Sequence, residues 1–265
     1  MFNYEFMRLA FLIGLMLGII IPLVGQTCVL KRLSTFGDAI SHTSLLGVAI
    51  GLVAGFSPLI LAIFICVVAS LVIELIRRKF SKYSELSVVI VMSASIALAT
   101  VISKFSSSAN FSSYLFGSIL LISLQDIIIT AIVFVIALVF YIGFYHQIKY
   151  VSYNEVQAKL DGVNVGFINI VQMILTAVII AISAKVIGAL MVSALMIIPY
   201  SSSIQLTKSY KHSVLLSIVF SLVSIFVGLT LAYYFDLQSG GTIVICSTII
   251  LIISLIVNRI FKIVN

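Results

Sequence analysis

Nine long apolar stretches, separated by short polar connections, dominate this sequence. A transmembrane helix needs about 20 consecutive, predominantly apolar residues, and most of the stretches approach that length. Polar and small residues interrupt the second and the seventh stretch, so the sequence predicts eight or nine transmembrane helices. The stretches cover residues 9–30, 39–56, 58–76, 86–103, 126–146, 166–184, 186–206, 212–235 and 241–261.

The low charge content excludes a soluble fold. Only 9% of the 265 residues are charged, whereas a soluble domain has about a quarter. The apolar surface must therefore face lipid, and little chain remains for a separate soluble domain. We predict that residues 1–265 form a single transmembrane domain, an all-α, polytopic membrane helical bundle. A further apolar piece at 114–122 is too short to span and is expected to be re-entrant or interfacial.

The basic residues predict the orientation of the chain. Short cytoplasmic loops carry an excess of Lys and Arg, and an outside N-terminus with an inside C-terminus leaves only Arg8, Lys104 and Lys185 on the outer face. This arrangement requires an odd number of spans. It also explains the net charge of +7 without nucleic-acid binding. The cations predicted to face the cytoplasm are Lys31, Arg32, Arg77, Arg78, Lys79, Lys82, Lys149, Lys159, Lys208, Lys211, Arg259 and Lys262.

Several chemical functions lack their motifs in this sequence. It contains no Gly-Lys-Ser/Thr phosphate loop, no HExxH and no GxSxG, so we do not expect ATP binding of the usual kind or enzymatic activity. Cys28, Cys66 and Cys246 lie far apart in apolar stretches and are expected to pack, without a disulfide framework or a zinc site. His146 and His212 lie at cytoplasmic ends of spans and are expected to be interfacial.

An acid and a histidine stand four residues apart where the second span begins. Residues i and i+4 share one face of a helix, so the side chains of Asp38 and His42 are expected to point the same way. Carboxylate oxygen and imidazole nitrogen both bind zinc and other divalent metals, and ionisable residues inside a membrane mark transport pathways. The alternatives are a local hydrogen bond between the two side chains, or Asp38 as a helix N-cap.

One chain offers two metal ligands here, whereas a tetrahedral zinc site requires four. Two copies of the chain, related by a two-fold axis, would supply two aspartates and two histidines. The hypothesis places one divalent ion on the symmetry axis of a homodimer.

Three further acids have structural explanations. Glu74 ends a span beside Arg77 and Arg78, and is expected to form an ion pair that reaches toward the interface. Asp126 begins a span and is expected to cap its helix. Asp236 lies in the outer turn before the last span, where it suits turn chemistry and could also attract cations at an outer entrance.

The longest cytoplasmic connection covers about residues 147–165. Its sequence is compatible with a helix as far as Asp161 and is interrupted at Gly162. We expect a short amphipathic helix that lies across the inner face, with a solvated linker as the alternative.

Five segments, spread over most of the chain, resemble the permeases of the ABC-3 family, which serve zinc, manganese and iron uptake systems. The first segment joins 30–32 to 37–49, and the others are 114–120, 153–163, 186–199 and 233–240.

This resemblance implies a type II ABC importer-like permease, a homodimer in the bacterial cytoplasmic membrane. It implies two separate cytoplasmic ATP-binding subunits and an extracellular solute-binding protein, with a divalent metal ion as cargo and no permanently bound cofactor. Asp38 and His42 would then lie on the ion path. The segment 147–165 would couple to the ATPase through Tyr153, Asn154, Glu155, Asp161 and Gly162.

The residues at 44–47 bear on the identity of the metal. They are more similar to the zinc-type members, because manganese-type members tend to have proline where this chain has Leu46. Zinc is therefore expected, with manganese or iron as the alternative. The chain departs from the family pattern at Tyr200 and Gln238. A stand-alone secondary transporter would need more buried carboxylates than this chain has, and a purely structural subunit would leave the acid and histidine pair unexplained.

Overall fold

The computed structural model describes residues 4–79, 84–105, 117 and 123–261. Within these ranges the chain is helical and contains no strand, and each of the nine predicted stretches holds a helix. The predicted piece at 114–122 lies outside the described residues, apart from Gly117. The helices are α1 Glu5–Leu30, α2 Ser34–Ala54, α3 Pro58–Lys79, α4 Ser84–Ser103, α5 Leu124–Gly143, α6 Tyr145–Tyr153, α7 Glu155–Leu160, α8 Val165–Val186, α9 Ala189–Ile204, α10 Tyr210–Phe235 and α11 Ser239–Phe261.

Two contacts define the outer face of the bundle. The ring of Tyr4, directly before α1, lies 6.3 Å from the ring of Tyr233 near the end of α10. The Nζ of Lys185, near the end of α8, lies 2.6 Å from the Oδ2 of Asp126, near the start of α5. The start of α1 therefore lies beside the end of α10, and the start of α5 beside the end of α8.

The opposite helix ends meet at the inner face. Glu155, the first residue of α7, lies 3.5 Å from Lys31, directly after α1, and 3.7 Å from Arg77, near the end of α3. Asn258, near the end of α11, donates a hydrogen bond of 3.1 Å to Gln205, directly after α9. Together with the outer contacts, these pairs show that helices α1 to α5 and α8 to α11 cross the bundle alternately. The chain therefore begins at one face and ends at the other, as the charge pattern predicted.

The helix α9 explains why the count of spans was open. Eight of the crossing helices in the described ranges are long and apolar enough to span a membrane, whereas α9 has 16 residues. Such a helix is about 24 Å long, somewhat shorter than a hydrocarbon core of about 30 Å. Gly188 precedes α9 with a φ of 100°, and Pro199 lies inside the helix. Among the described residues, nine helices thus cross the bundle, eight long ones and the short α9.

The helix α2 is the most enclosed of the long spans. In the 18-residue apolar segment of α2, 72% of the residues are buried, compared with 22% in the same segment of α4 and 28% in those of α5 and α11. Glycines allow α3 to approach it closely, since a Cβ at Gly47 would lie 2.4 Å from Cα of Ala62, and one at Gly51 would lie 2.7 Å from Cα of Pro58. The helices α3, α4, α8 and α9 surround α2, so the residues of α2 are held among other helices.

The connection at 147–165 contains two short helices where the sequence predicted one. Asn154 interrupts the helical path with an extended backbone, at φ −153°, and its side chain accepts a 3.0 Å hydrogen bond from the amide of Gln157 to cap α7. The sequence prediction missed this break because asparagine is also common on the polar surface of a continuous helix. Here Asn154 instead ends α6 and caps the start of α7. The predicted interruption at Gly162 is confirmed, with a φ of 83° that residues with a Cβ rarely adopt.

Candidate functional site

Asp38 and His42 lie in the inner half of α2, one helical turn apart. The helix begins at Ser34 with Leu33 at the N-cap position, so the interpretation of Asp38 as an N-cap is wrong. Asp38 and His42 are partly exposed, whereas all the remaining residues between 36 and 49 are buried. Between residues 36 and 49, these two side chains are therefore the part of α2 that reaches the surface of a single chain.

Neither side chain makes a hydrogen bond or an ion pair within the described part of the chain. The alternative of a local hydrogen bond between Asp38 and His42 is therefore not found. The described residues also contain no group of three or more His, Cys, Asp or Glu that could hold a metal ion. One chain thus presents two ligand-type side chains whose coordinating atoms remain available, and a site of four ligands needs a further source.

The helix α4 flanks α2 on a side that is open in the single chain. Thr43 Oγ1 lies 2.9 Å from Ser95 Oγ, which joins the two helices by a hydrogen bond. On either side of Ser95, α4 exposes large apolar side chains, of which Ile90 is 58% and Val101 is 64% exposed. The surface beside α2 is therefore apolar and available to lipid or to another protein.

Asp236 lies at the opposite face from the pair. It ends α10 with a left-handed backbone, at φ 51°, close to the outer contact of Tyr233 with Tyr4. Because Asp38 lies in the second turn of α2, near the inner face, the two acids lie toward opposite faces of the bundle. The structure does not bring Asp236 together with Asp38, and a role in attracting cations stays a prediction.

A network of charged and amide side chains, which sequence reasoning missed, joins the connection to the bundle. The Nζ of Lys31 donates hydrogen bonds to Oδ1 of Asn169 at 2.5 Å and to Oε1 of Gln172 at 3.1 Å. The Nδ2 of Asn169 donates to Oε1 of Glu155 at 3.0 Å. Burial lowers the pKa of Lys31, although the charge of Glu155 opposes this shift. We define the inner ion network as Lys31, Glu74, Arg77, Glu155, Asn169 and Gln172.

Arg77 connects the inner ion network to α3. Its Nε donates to Oε2 of Glu74 at 2.8 Å, and its Nη1 lies 3.7 Å from Oε1 of Glu155. The predicted ion pair of Glu74 is confirmed, but Glu74 is only 3% exposed, so it is buried among helices and does not reach toward the interface. A signal for the network was present in the sequence, because Asn169 and Gln172 are unusual side chains for the first turns of an apolar span.

The helix α7 presents apolar side chains outward. Val156 is 72% and Leu160 is 81% exposed, while Glu155 on the same short helix is held by Lys31 and Arg77. Exposed apolar side chains on a helix that ion pairs join to the bundle suit the binding of another protein.

The remaining residues of the predicted coupling set shape the two ends of α7. Tyr153 is 60% exposed, and its ring lies 6.0 Å from the ring of Tyr210 at the start of α10. Asp161 accepts a hydrogen bond from the hydroxyl of Tyr150, which raises the pKa of Tyr150. Asn154 and Gly162 start and end the turn of chain that carries these side chains.

The outer end of α8 is held by a second ion pair. The N-cap of α5 is Ser123, and Asp126 lies at the third helical position, where it completes a capping box. It accepts hydrogen bonds from the amide and the hydroxyl of Ser123 at 2.7 Å each, so Asp126 contributes to the cap without being the N-cap itself. Sequence reasoning did not predict that Lys185 pairs with the same carboxylate at 2.6 Å. Gly117 packs against the joint between α8 and α9, where a Cβ would lie 2.5 Å from the carbonyl carbon of Ile187.

Known proteins resemble the chain over nearly its whole length. The ABC 3 transport family matches residues 3–258. The high-affinity zinc uptake system membrane protein ZnuB of Haemophilus influenzae is 30% identical over 95% of this chain and 97% of that protein. The manganese transport system membrane protein MntC of Listeria monocytogenes is also 30% identical, over 95% and 90%. The solved structure of PsaBC from Streptococcus pneumoniae in complex with Fab matches with a TM-score of 0.84 and 28% identity, covering 95% of this chain and 91% of that chain.

Proposed function

Because the chain belongs to the ABC 3 transport family, we propose that Asp38 and His42 lie on the path along which this permease of an ATP-driven importer moves divalent metal ions, and that the ion is zinc. The observation that carries this proposal is the exposure pattern of α2. Between residues 36 and 49 the helix is buried except at these two positions. A bundle that encloses every other side chain here leaves open the two that can bind a metal.

The working unit in this proposal is a homodimer. A tetrahedral zinc site takes four ligands, and one chain offers Asp38 and His42. Two copies that meet on the side of α2 and α4 would place two such pairs around a common axis. The exposed apolar surface of α4 supports this side, because it would be covered in the dimer.

The energy in this proposal comes from separate ATP-binding subunits at the inner face. The exposed Val156 and Leu160 would bind the ATPase, and Glu155 would carry its movement to Lys31 and Arg77. Since the sequence has no phosphate loop of its own, the chain provides the route, and the partner provides the ATP hydrolysis. An extracellular solute-binding protein would deliver the ion near the outer turn that contains Asp236.

Zinc is favoured over manganese by the chemistry of the pair and by Leu46. Carboxylate and imidazole groups suit zinc, which accepts tetrahedral oxygen and nitrogen ligands. The relatives that transport zinc and those that transport manganese are equally similar to this chain, so the measured cargo decides between them.

The test is radiotracer uptake of zinc and of manganese in cells that lack their own importers and express this chain with its ATPase and its solute-binding protein. We expect zinc uptake in the unchanged protein, and at least a tenfold loss in His42→Ala and Asp38→Ala at equal amounts of membrane-inserted protein. The matched control is Thr35→Ala, an exposed polar residue on the same helix, which should leave uptake unchanged.

Three results would contradict parts of the proposal. Normal uptake in the double variant Asp38→Ala/His42→Ala would remove both side chains from the ion path. Uptake that continues when the ATPase cannot hydrolyse ATP would favour a secondary transporter. A normal rate for manganese with none for zinc would correct the cargo and leave the path in place.

A further inference from the structure

A groove on the lipid-facing side of the bundle opens near the inner face. The helices α5 and α10 both pack on α1, and between them a cavity of about 720 Å³ remains. This volume falls in the range of about 300–1,000 Å³ that small-molecule sites occupy. We call it the inner-leaflet groove.

The lining of the groove changes from apolar to basic along the membrane normal. Its middle part is lined by Leu138, Leu215 and Ile218, and its inner end by His146 and Lys211. An amphiphilic molecule with apolar chains and an anionic head has this distribution. No Asp or Glu is among the described residues that line the groove, so the inner end has a single sign of charge.

Further cationic and aromatic groups surround the inner end. The rings of Tyr145 and Tyr210 lie 5.7 Å apart across the end of the groove, and Lys149 Nζ lies 5.7 Å from the centroid of the Tyr210 ring. Aromatic and basic residues at this depth are typical of contacts with lipid headgroups. The charge therefore suits a phosphate better than a neutral or cationic head.

A buried amide points to a ligand with a hydrogen-bond donor. Gln26 lines the groove and is 2% exposed, yet its Oε1 has no hydrogen-bond partner in the described structure. A buried polar atom without a partner is unfavourable by about 1–3 kcal/mol, and most such atoms in proteins are satisfied. If the side chain of Gln26 turns toward the groove, a headgroup hydroxyl can donate the missing hydrogen bond while its phosphate contacts Lys211.

The position of the groove separates it from the proposed dimer side. The helices α5 and α10 pack on α1, whereas α2 is packed by α3, α4, α8 and α9. A dimer that brings the Asp38 and His42 pairs together would therefore leave the groove facing the bilayer.

We propose that the inner-leaflet groove is a specific binding site for an anionic glycerophospholipid with a hydroxylated headgroup. The acyl chains lie against Leu138, Leu215 and Ile218. The phosphate lies at Lys211 and His146, and a headgroup hydroxyl donates to Gln26.

The test measures thermal unfolding of the purified full chain in a non-ionic detergent with added phosphatidylglycerol or phosphatidylcholine of the same acyl composition. Phosphatidylglycerol should stabilise the protein at lower concentration than phosphatidylcholine. The variant Lys211→Gln should weaken its apparent affinity about fivefold, which corresponds to the loss of one surface cation near a headgroup. The matched control is Arg259→Gln, an exposed cation at the inner end of α11 outside the groove, which should leave the affinity unchanged.

A second pair of variants tests the groove itself. Leu215→Trp fills the apolar part without changing charge, and should remove the difference between the two lipids. Gln26→Leu should remove the advantage of phosphatidylglycerol over phosphatidic acid, which has no headgroup hydroxyl beyond its phosphate. Equal losses in Lys211→Gln and Arg259→Gln would mean diffuse attraction only, and would overturn the proposal. Disulfide cross-links between two copies of a Leu215→Cys variant in membranes would also overturn it, because the groove would then be a protein interface.

Discussion

The substitution Lys185→Met isolates the contribution of the outer ion pair. It removes the only charge that the described structure places against the carboxylate of Asp126, which is 4% exposed. Removing one partner of a buried ion pair costs about 3–5 kcal/mol, because the remaining charge stays buried and unpaired. The amide and hydroxyl of Ser123 still donate to Asp126, so we expect a loss near the lower end, about 3 kcal/mol.

A double variant separates the lost pair from the stranded charge. In Asp126→Asn/Lys185→Met both charges are gone, and an asparagine oxygen can still accept from Ser123. Most of the loss should then be recovered, leaving about 1 kcal/mol, since a buried pair contributes little net stability compared with neutral groups of similar size. The control Lys104→Met removes an exposed cation from the same outer face and should change stability by less than about 0.5 kcal/mol.

The assay is thermal unfolding of the purified protein in one detergent at one protein concentration. A loss of 3 kcal/mol lowers Tm by roughly 6–12 °C for a chain of this size. Equal melting of Lys185→Met and Lys104→Met would refute the argument that burial makes this pair important. A double variant as unstable as the single one would show that the stranded carboxylate is not the cause of the loss.

The other predictions concern close helix packing and the inner ion network. The substitution Gly25→Ala should destabilise the fold by about 3 kcal/mol or more, because its Cβ would lie 1.8 Å from the carbonyl oxygen of Met196. The control Gly241→Ala, whose Cβ would have no atom within 4 Å, should be neutral or stabilising by up to about 1 kcal/mol. The same melting assay compares the two variants. Burial lowers the pKa of Lys31 below its ordinary value of 10.5, so the unfolded chain binds more protons between the two values. Stability should therefore rise with pH in that window, and Lys31→Met should remove the rise; an unchanged slope in the variant would contradict the assignment.

The helices were predictable because lipid imposes a simple rule on sequence. A span must be long and apolar, so α3, α5 and α11 follow from composition alone. The helix α9 was harder to classify because its length and its polar residues suit a helix that is surrounded by others. The break between α6 and α7 was missed because Asn154 ends one helix and caps the next, a local choice that hydrophobic pattern does not contain.

The candidate site was partly predictable for a different reason. Asp38 and His42 stand out because an ionisable pair inside an apolar span is costly, and their spacing puts them on one helix face. The inner ion network depends instead on which spans become neighbours: Lys31 and Asn169 are separated by 138 positions. Short-range patterns contain no information about that pairing, and the positive-inside rule had already explained the positions of Lys31 and Arg77.

The charges at the two ends of α8 have a mechanical consequence. At the inner end, Asn169 and Gln172 hold Lys31; at the outer end, Lys185 holds Asp126. A tilt of α8 relative to both α1 and α5 would therefore have to break the hydrogen bonds at one of these two ends. We expect a rocking motion that opens the bundle from one side to the other to bend the chain at Gly188, where α9 begins and the backbone has a φ of 100°.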